Sequence, residues 1–360
     1  MNEDTAATSS MIEEPPLISE QHKVRLRECW SVTLDETPVA LRWAPNMHAL
    51  TAAPAEGEIV LIDAGDGSVN QRWPGHQGGN LTLEWHPELP RFATGGCDGL
   101  VKVWAQDEAH PLITLEAGKG WVEHVQWSGG HPQISAKLAA SCGRDVYVWG
   151  ASYATERKFR SHATVLDLQW NPALGLLMTT HRTGLQIWVP EETDQPHDID
   201  YAGAVLTVRW SPCSRMFAMG NHDATVSVIQ LATMKCLRLG GFGGKVAHLA
   251  WEPSSRSFAG AGGEAISVWD LKGAAEDNQL ALPLIGHIGT ITAMAWQPLG
   301  VLLASGGTDA RLILWHPQEE ILPVHFRSLP APITQIAWAR DGRHLAVGTR
   351  DGRVTLYNLE

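Results

Sequence analysis

The chain is short of positive charge. Its 360 residues carry 27 Lys and Arg against 39 Asp and Glu, a formal net charge of −12. Nucleic-acid binding leans on a basic surface, so this balance argues against that partner class. Long apolar runs are also missing. None approaches the roughly 18 residues of a membrane-spanning helix, although 44% of residues are hydrophobic. The first residues are acidic and polar, without the basic and apolar regions of a secretory signal. Cysteine is scarce: Cys29, Cys97, Cys142, Cys213 and Cys236 are scattered, odd in number and without CxxC spacing. That argues against a disulfide framework and suits a reducing cytoplasm, which is the expected location.

Catalytic motifs are lacking as well. There is no GxSxG and no HExxH. The run Gly240-Gly241-Phe242-Gly243-Gly244-Lys245 fails the phosphate-loop spacing, and Val246 stands where a Ser or Thr would meet magnesium. No catalytic residues and no cofactor are expected. Asn80-Leu81-Thr82 reads as a glycosylation sequon, which matters only to a secreted chain. The 16 His residues show no HxH pair and no accompanying Cys cluster.

What the sequence has is a repeat. A short apolar run ends in Trp and is followed by x-Pro, a second apolar run, a Gly-rich turn, and an alternating third run. The anchor Trp recurs at Trp43, Trp85, Trp127, Trp170, Trp210, Trp251, Trp296 and Trp338. Successive gaps are 42, 42, 43, 40, 41, 45 and 42 residues. An x-Pro follows six of the anchors, Pro132 comes five residues after Trp127, and Ala339 to Gly342 supply the turn in the eighth unit. The third run closes on Trp104, Trp149, Trp188, Trp269 and Trp315, with Ile62, Ile229 and Tyr357 in that place in the first, fifth and eighth units.

This pattern resembles the WD40 repeat, whose period is about 40–45 residues. The clearest copy runs from Gly286-His287 through Trp296, Pro298 and Asp309 to Trp315. The resemblance covers residues 24–360 and implies an all-β propeller of four-stranded antiparallel blades, eight by the count of anchors. It also implies buried networks of His, Ser or Thr, Asp and Trp. Two units supply all four members: His76, Thr94, Asp98 and Trp104, and His287, Ser305, Asp309 and Trp315. A buried carboxylate needs such partners. The fourth unit offers His162 and Trp188 but Arg182 at the Asp position. The fifth has Asp223 without the Trp, the sixth has Glu264 out of register, and the eighth has Asp351 with Tyr357. In the third, Arg144-Asp145 sits in a shortened turn.

The stretch from Val24 to Leu34 alternates like a strand but precedes the first anchor, and the chain ends on the third strand of the eighth unit. The N-terminal strand is therefore expected to complete the eighth blade and remove the open edges. Residues 1–23, with Glu3, Asp4, Glu13, Glu14, Glu20 and Pro15-Pro16, read as an acidic disordered tail, and the island MIEEPPLI within it as a candidate docking motif. The long insertion Leu271 to Leu284 and the acidic stretch Pro190 to Pro196 read as outer loops.

With chemistry absent, function is expected on a surface. The resemblance places partners on the face formed by the loops before the inner strands and the turns between second and third strands. Those segments hold Lys119, Trp121, Phe242 and Lys245, and Arg144, Arg182, His222 and Arg350. The expectation is a non-catalytic scaffold, monomeric on its own, that binds a protein or acidic peptide there. Trp121 and Phe242 would be apolar anchors and the arginines charge-assisted donors. The bland counterpart has Trp121 folded over the rim and the arginines paired with Asp145, Asp223 and Asp351. A second reading is a His-rich metal-binding accessory protein, because His124, Asp167 and His248 share one position on three inner strands.

Overall fold

A computed structural model describes residues 18–19, 24–129, 136–193, 195–199, 201, 203–271, 281–319 and 321–360. The expected tail apart from Ile18 and Ser19, the turn holding Pro132, and most of the insertion after Leu271 lie outside these residues.

Every described element is a β-strand, and the strands form eight four-stranded antiparallel sheets. Each anchor Trp ends the inner strand of a sheet. Blade 2 shows the plan: Asn80–Trp85, Arg91–Gly96, Leu100–Ala105 and Pro111–Glu116 in that order. Blade 8 is built from both ends of the chain. Leu26–Thr33 pairs antiparallel with Arg353–Leu359, from Leu26 opposite Leu359 to Thr33 opposite Arg353. The ring is therefore closed by the N-terminal strand, as the unpaired alternation at Val24 to Leu34 predicts. Arg27 Nε meets Glu360 Oε1 at 2.6 Å across this seam.

The structure explains why the anchor recurs. The indole N–H of Trp43 donates to Ala337 O, that of Trp251 to Arg209 O, Trp296 to Ala250 O and Trp338 to Ala295 O. Trp170 likewise reaches Gln126 O, and Trp85 reaches Thr51 Oγ1. Each bond crosses to the preceding blade, so the residue that ends a strand also staples it to its neighbour. The Trp43 bond joins blade 1 to blade 8 and completes the circuit.

The second series of aromatic residues fills the blades. Trp104, Trp149, Trp188, Trp269, Trp315 and Tyr357 are fully buried, with Trp73 from the outer strand of blade 1 beside them. Between blades the backbones come close. A Cβ on Gly220 would stand 2.4 Å from Val246 O, and one on Gly95 would stand 2.6 Å from Val122 O. Only glycine fits these second-strand positions.

Candidate functional site

The loops before the inner strands and the turns between second and third strands share one face. Backbone bonds join them in blade after blade: Cys97 N to Gly79 O, Val165 N to Gly143 O, Val246 N to Asn221 O, Ile291 N to Gly263 O and Arg350 N to Pro332 O. Two loops on this face rest on buried tetrads. His76 Nδ1 lies 2.8 Å from Asp98 Oδ1 and its Nε2 lies 2.9 Å from Thr94 Oγ1, which also accepts the Trp104 indole N–H at 2.9 Å. His287 repeats the arrangement, at 3.0 Å from Asp309 and 2.8 Å from Ser305 Oγ, with Trp315 donating to Ser305 at 2.8 Å. Burial pushes the His76 pKa down against the pull of Asp98, and contact with His76 helps hold Asp98 below the usual carboxylate range. In the same loop Asn80 is buried, and its side chain is bonded to His76 N and Pro54 O. The sequon is thus a packing element.

The departing blades build other networks. In blade 4 the side chain of His162 is 58% exposed and sits 3.5 Å from Asp198, so it does not join the interior network the sequence assigns to it. Gln186 takes over, accepting from Ser161 Oγ and donating to Asp198, while Trp188 still donates to Thr179. Blade 5 uses Tyr201, Ser227 and Asn221. In blade 6, Phe258 stacks on Trp269 at 5.0 Å. Gln186, Tyr201, Ser227, Asn221 and Phe258 carry no motif and were not legible in advance.

The rim residues separate on inspection. Trp121 is 60% exposed and stands outside the core. Its neighbour Val122 pairs with Cys142, one residue before the turn that holds Gly143 and Arg144. Arg144 is exposed and holds the next loop by donating Nε–H to Ser161 O at 3.0 Å. That loop lies between the Arg144 turn and the Arg182 turn, because Val165 N donates to Gly143 O and Leu166 N to Thr180 O. Lys119, Arg182, His222 and Lys245 are exposed, on blades 3 to 6. Arg350 is exposed on blade 8, away from this arc. Phe242 turns inward. Its ring lies 5.3 Å from Trp269 and it packs on the core of blades 5 and 6, so it supports the rim instead of offering a free anchor.

The carboxylates that would neutralise these cations have other partners. Asp145 pairs with Arg160 at 3.2 Å and Lys158 at 3.6 Å. Asp223 is bound by Arg238, and Asp351 faces Arg353 at 4.0 Å. The same face is acidic around blade 1, where Asp35, Glu36, Glu56 and Glu58 are exposed. The arc over blades 3 to 6 thus presents Lys119, Arg144, Arg182 and Lys245, with Glu123 and Glu264 exposed among them.

Of the three matching inner-strand positions, Asp167 clasps the next blade. Asp167 is buried and accepts from Thr207 Oγ1 at 2.8 Å, Val208 N at 3.0 Å and Arg209 Nη1 at 2.5 Å. Burial pushes the His248 pKa down to about 4 and lowers that of His124. Among the described residues no group of three His, Cys, Asp or Glu is placed to hold a metal ion.

With this geometry in view, the sequence model described as "WD domain, G-beta repeat" matches residues 67–105, 278–316 and 321–358. Each match spans the outer strand of one blade and three strands of the next, blades 2, 7 and 8. Two of these carry the intact tetrads. Among curated proteins, the chain is 23% identical to Telomerase protein component 1 of Mus musculus over 92% of its length, but spans 13% of that protein. It is 26% identical to "Cell division cycle 20.1, cofactor of APC complex" of Arabidopsis thaliana, over 70% of this chain and 59% of that one. It is 23% identical to "Protein transport protein SEC13-2" of Candida glabrata, over 74% of this chain and 88% of that one. The crystal structure of the computationally designed Ika8 protein superposes with a TM-score of 0.77 at 19% identity, covering 92% of this chain and 99% of that one. Repeat period, tetrads, ring closure and these matches agree: the chain carries WD40 repeats and folds as an eight-bladed β-propeller.

Proposed function

We propose that the protein is a non-catalytic interaction scaffold that docks an acidic peptide or protein segment on the basic arc of blades 3 to 6. The observation that carries this reading is an exposed indole, Trp121, on the same arc as exposed Arg182 and exposed Arg144, whose neighbour Asp145 is bound by Arg160 and Lys158. Exposed Trp and Arg are favoured interface anchors, and guanidinium–carboxylate contacts are among the stronger hydrogen bonds. The relatives support the class of function. One is named as a cofactor of a complex and another as a protein-transport protein. The metal-binding alternative finds no site among the described residues. We place the protein in the cytoplasm, monomeric until its partner binds, on the scattered free cysteines and the acidic surface.

The test is affinity capture from native lysate with wild type and with a variant carrying Trp121→Ala, Arg144→Ala and Arg182→Ala. Circular dichroism and melting temperature establish that both are folded. The expected result is a partner retained by wild type, eluted by raised salt, and depleted from the variant. Equal capture by both forms at all salt concentrations would overturn the assigned surface.

A further inference from the structure

The face opposite the rim holds a pocket that the proposed function does not use. Two residues after each anchor Trp the chain turns, and in six blades that place is Pro: Pro45, Pro87, Pro172, Pro212, Pro253 and Pro298. Blade 3 has Gly129 there, and blade 8 has Arg340. Both departures border one pocket of about 190 Å³, which Pro45 and Pro87 of the intervening blades 1 and 2 also line. Turns from four consecutive blades converge toward the ring axis, so the pocket lies at the mouth of the channel. Departures from an otherwise consistent pattern are expected at functional sites.

The walls are largely aromatic, and their charge is unbalanced. Trp43, Trp85 and Trp127 line the pocket beside the two prolines. Glu84 lines it too and is paired with Arg42 at 3.3 Å. Arg42 also donates from Nη1 to Leu41 O, which leaves Nη2 without an acceptor among the described residues. Arg340 is exposed and pairs with no carboxylate among the described residues, and its neighbour Asp341 is held by His344 at 2.6 Å. Two guanidiniums against one carboxylate leave one positive charge. His86 stands in the same wall and adds none at neutral pH, because burial, with Arg91 nearby, pushes its pKa down to about 4. Its Nδ1 accepts two backbone N–H groups, so its hydrogen sits on Nε2. The indole N–H of Trp127 is buried without an acceptor among the described residues. Buried donors are ordinarily paired, so this wall has donors in excess of acceptors.

We propose that the pocket binds a small monocarboxylate with a flat apolar body. Its carboxylate is held by Arg340 and by Nη2 of Arg42, and its body lies among the indoles. Guanidinium–carboxylate bonds are charge-assisted and among the stronger ones, and aromatic rings prefer aromatic neighbours. The single surplus charge matches a monoanion better than a phosphate dianion. The volume equals the share of about six waters in the liquid, which suits a small molecule and excludes a folded segment.

Calorimetric titration of the full chain with sodium benzoate at low salt tests this. One saturable site is expected. Benzamide, the uncharged isostere, should bind at least about ten-fold more weakly, the scale of one hydrogen bond to a charged group. Arg340→Pro restores the residue that six blades carry, and Arg340→Gln removes the charge without constraining the backbone. Circular dichroism establishes that each is folded, and each should weaken benzoate about ten-fold. No saturable heat up to about 10 mM benzoate, the millimolar limit of useful affinity, overturns the proposal. So does benzamide bound as tightly as benzoate, or an affinity unchanged in both Arg340 variants. Inorganic phosphate that displaces benzoate at equal concentration also overturns it and assigns the pocket to phosphate.

Discussion

Asp167 and Arg209, on the inner strands of neighbouring blades 4 and 5, meet at 2.5 Å, and the same carboxylate accepts the backbone N–H of Val208. Burial opposes ionisation of Asp167. Arg209, His124 and these hydrogen bonds outweigh it and hold the carboxyl below its ordinary value. Removing the acceptor orphans a buried amide, while Arg209 is 38% exposed and keeps its bond to Val208 O, so Asp167→Ala should lower the unfolding free energy by about 1–3 kcal/mol. Urea titration at neutral pH checks this. A folded-state pKa that is depressed contributes stability above the unfolded value, about 3.9, and loses it as pH falls below that. The gap between wild type and variant should therefore narrow in acid. A gap that widens there would sink the assignment.

His86 follows the opposite chemistry with the same direction in pH. Its Nδ1 accepts the backbone N–H groups of Glu88 and Leu89 at 3.1 and 3.0 Å, and burial, with Arg91 nearby, pushes its pKa down to about 4. The unfolded chain takes up a proton near pH 6.5 that the fold refuses, so stability falls between about pH 6.5 and 4. Asn171 holds the equivalent turn in blade 4, accepting from Ala173 and Leu174 at 3.0 and 2.9 Å. His86→Asn should thus keep the turn and flatten this slope, measured as the change in urea midpoint between pH 7 and pH 5.

Gly220 faces the Val246 carbonyl of the next blade, and backbone cannot rotate away as a side chain can. Gly220→Ala should cost about 1–3 kcal/mol, the range for overpacked interiors. Calorimetry should show a lower melting temperature. An unchanged value would mean that the blades can part at this point without loss.

Trp121→Ala should leave stability within about 0.5 kcal/mol of wild type, as expected of an exposed side chain, while reducing partner capture. Trp315→Ala, in the buried tetrad of blade 7, should cost about 3–5 kcal/mol. Parallel thermal melts separate the two. Comparable destabilisation by both would show that Trp121 packs as a structural plug.

Most of the architecture was legible because its cause is periodic. A residue that ends every inner strand, and in six of the eight blades bonds to the preceding one, recurs at every repeat, so Trp43 to Trp338 could be counted. The tetrads of blades 2 and 7 were legible for the same reason, since His, hydroxyl, Asp and Trp each occupy a fixed register. Blade 4 shows where this fails. His162 has the right spacing, but without an Asp in the following turn nothing draws it inward, and Gln186 completes the network from a strand position that carries no motif. Phe242 and Trp121 occupy comparable loops, yet one ring is held against Trp269 and the other is left outside.

By itself, then, the sequence determined the number of blades, the closing strand and the two complete tetrads, because these rest on local spacing and on strand alternation. Only the tertiary structure decided which rim groups are free to bind. Whether an arginine is neutralised or an aromatic ring is covered depends on neighbours from other strands. Arg160 and Lys158 claim Asp145, and Arg238 claims Asp223, from strands whose approach no spacing along the chain records.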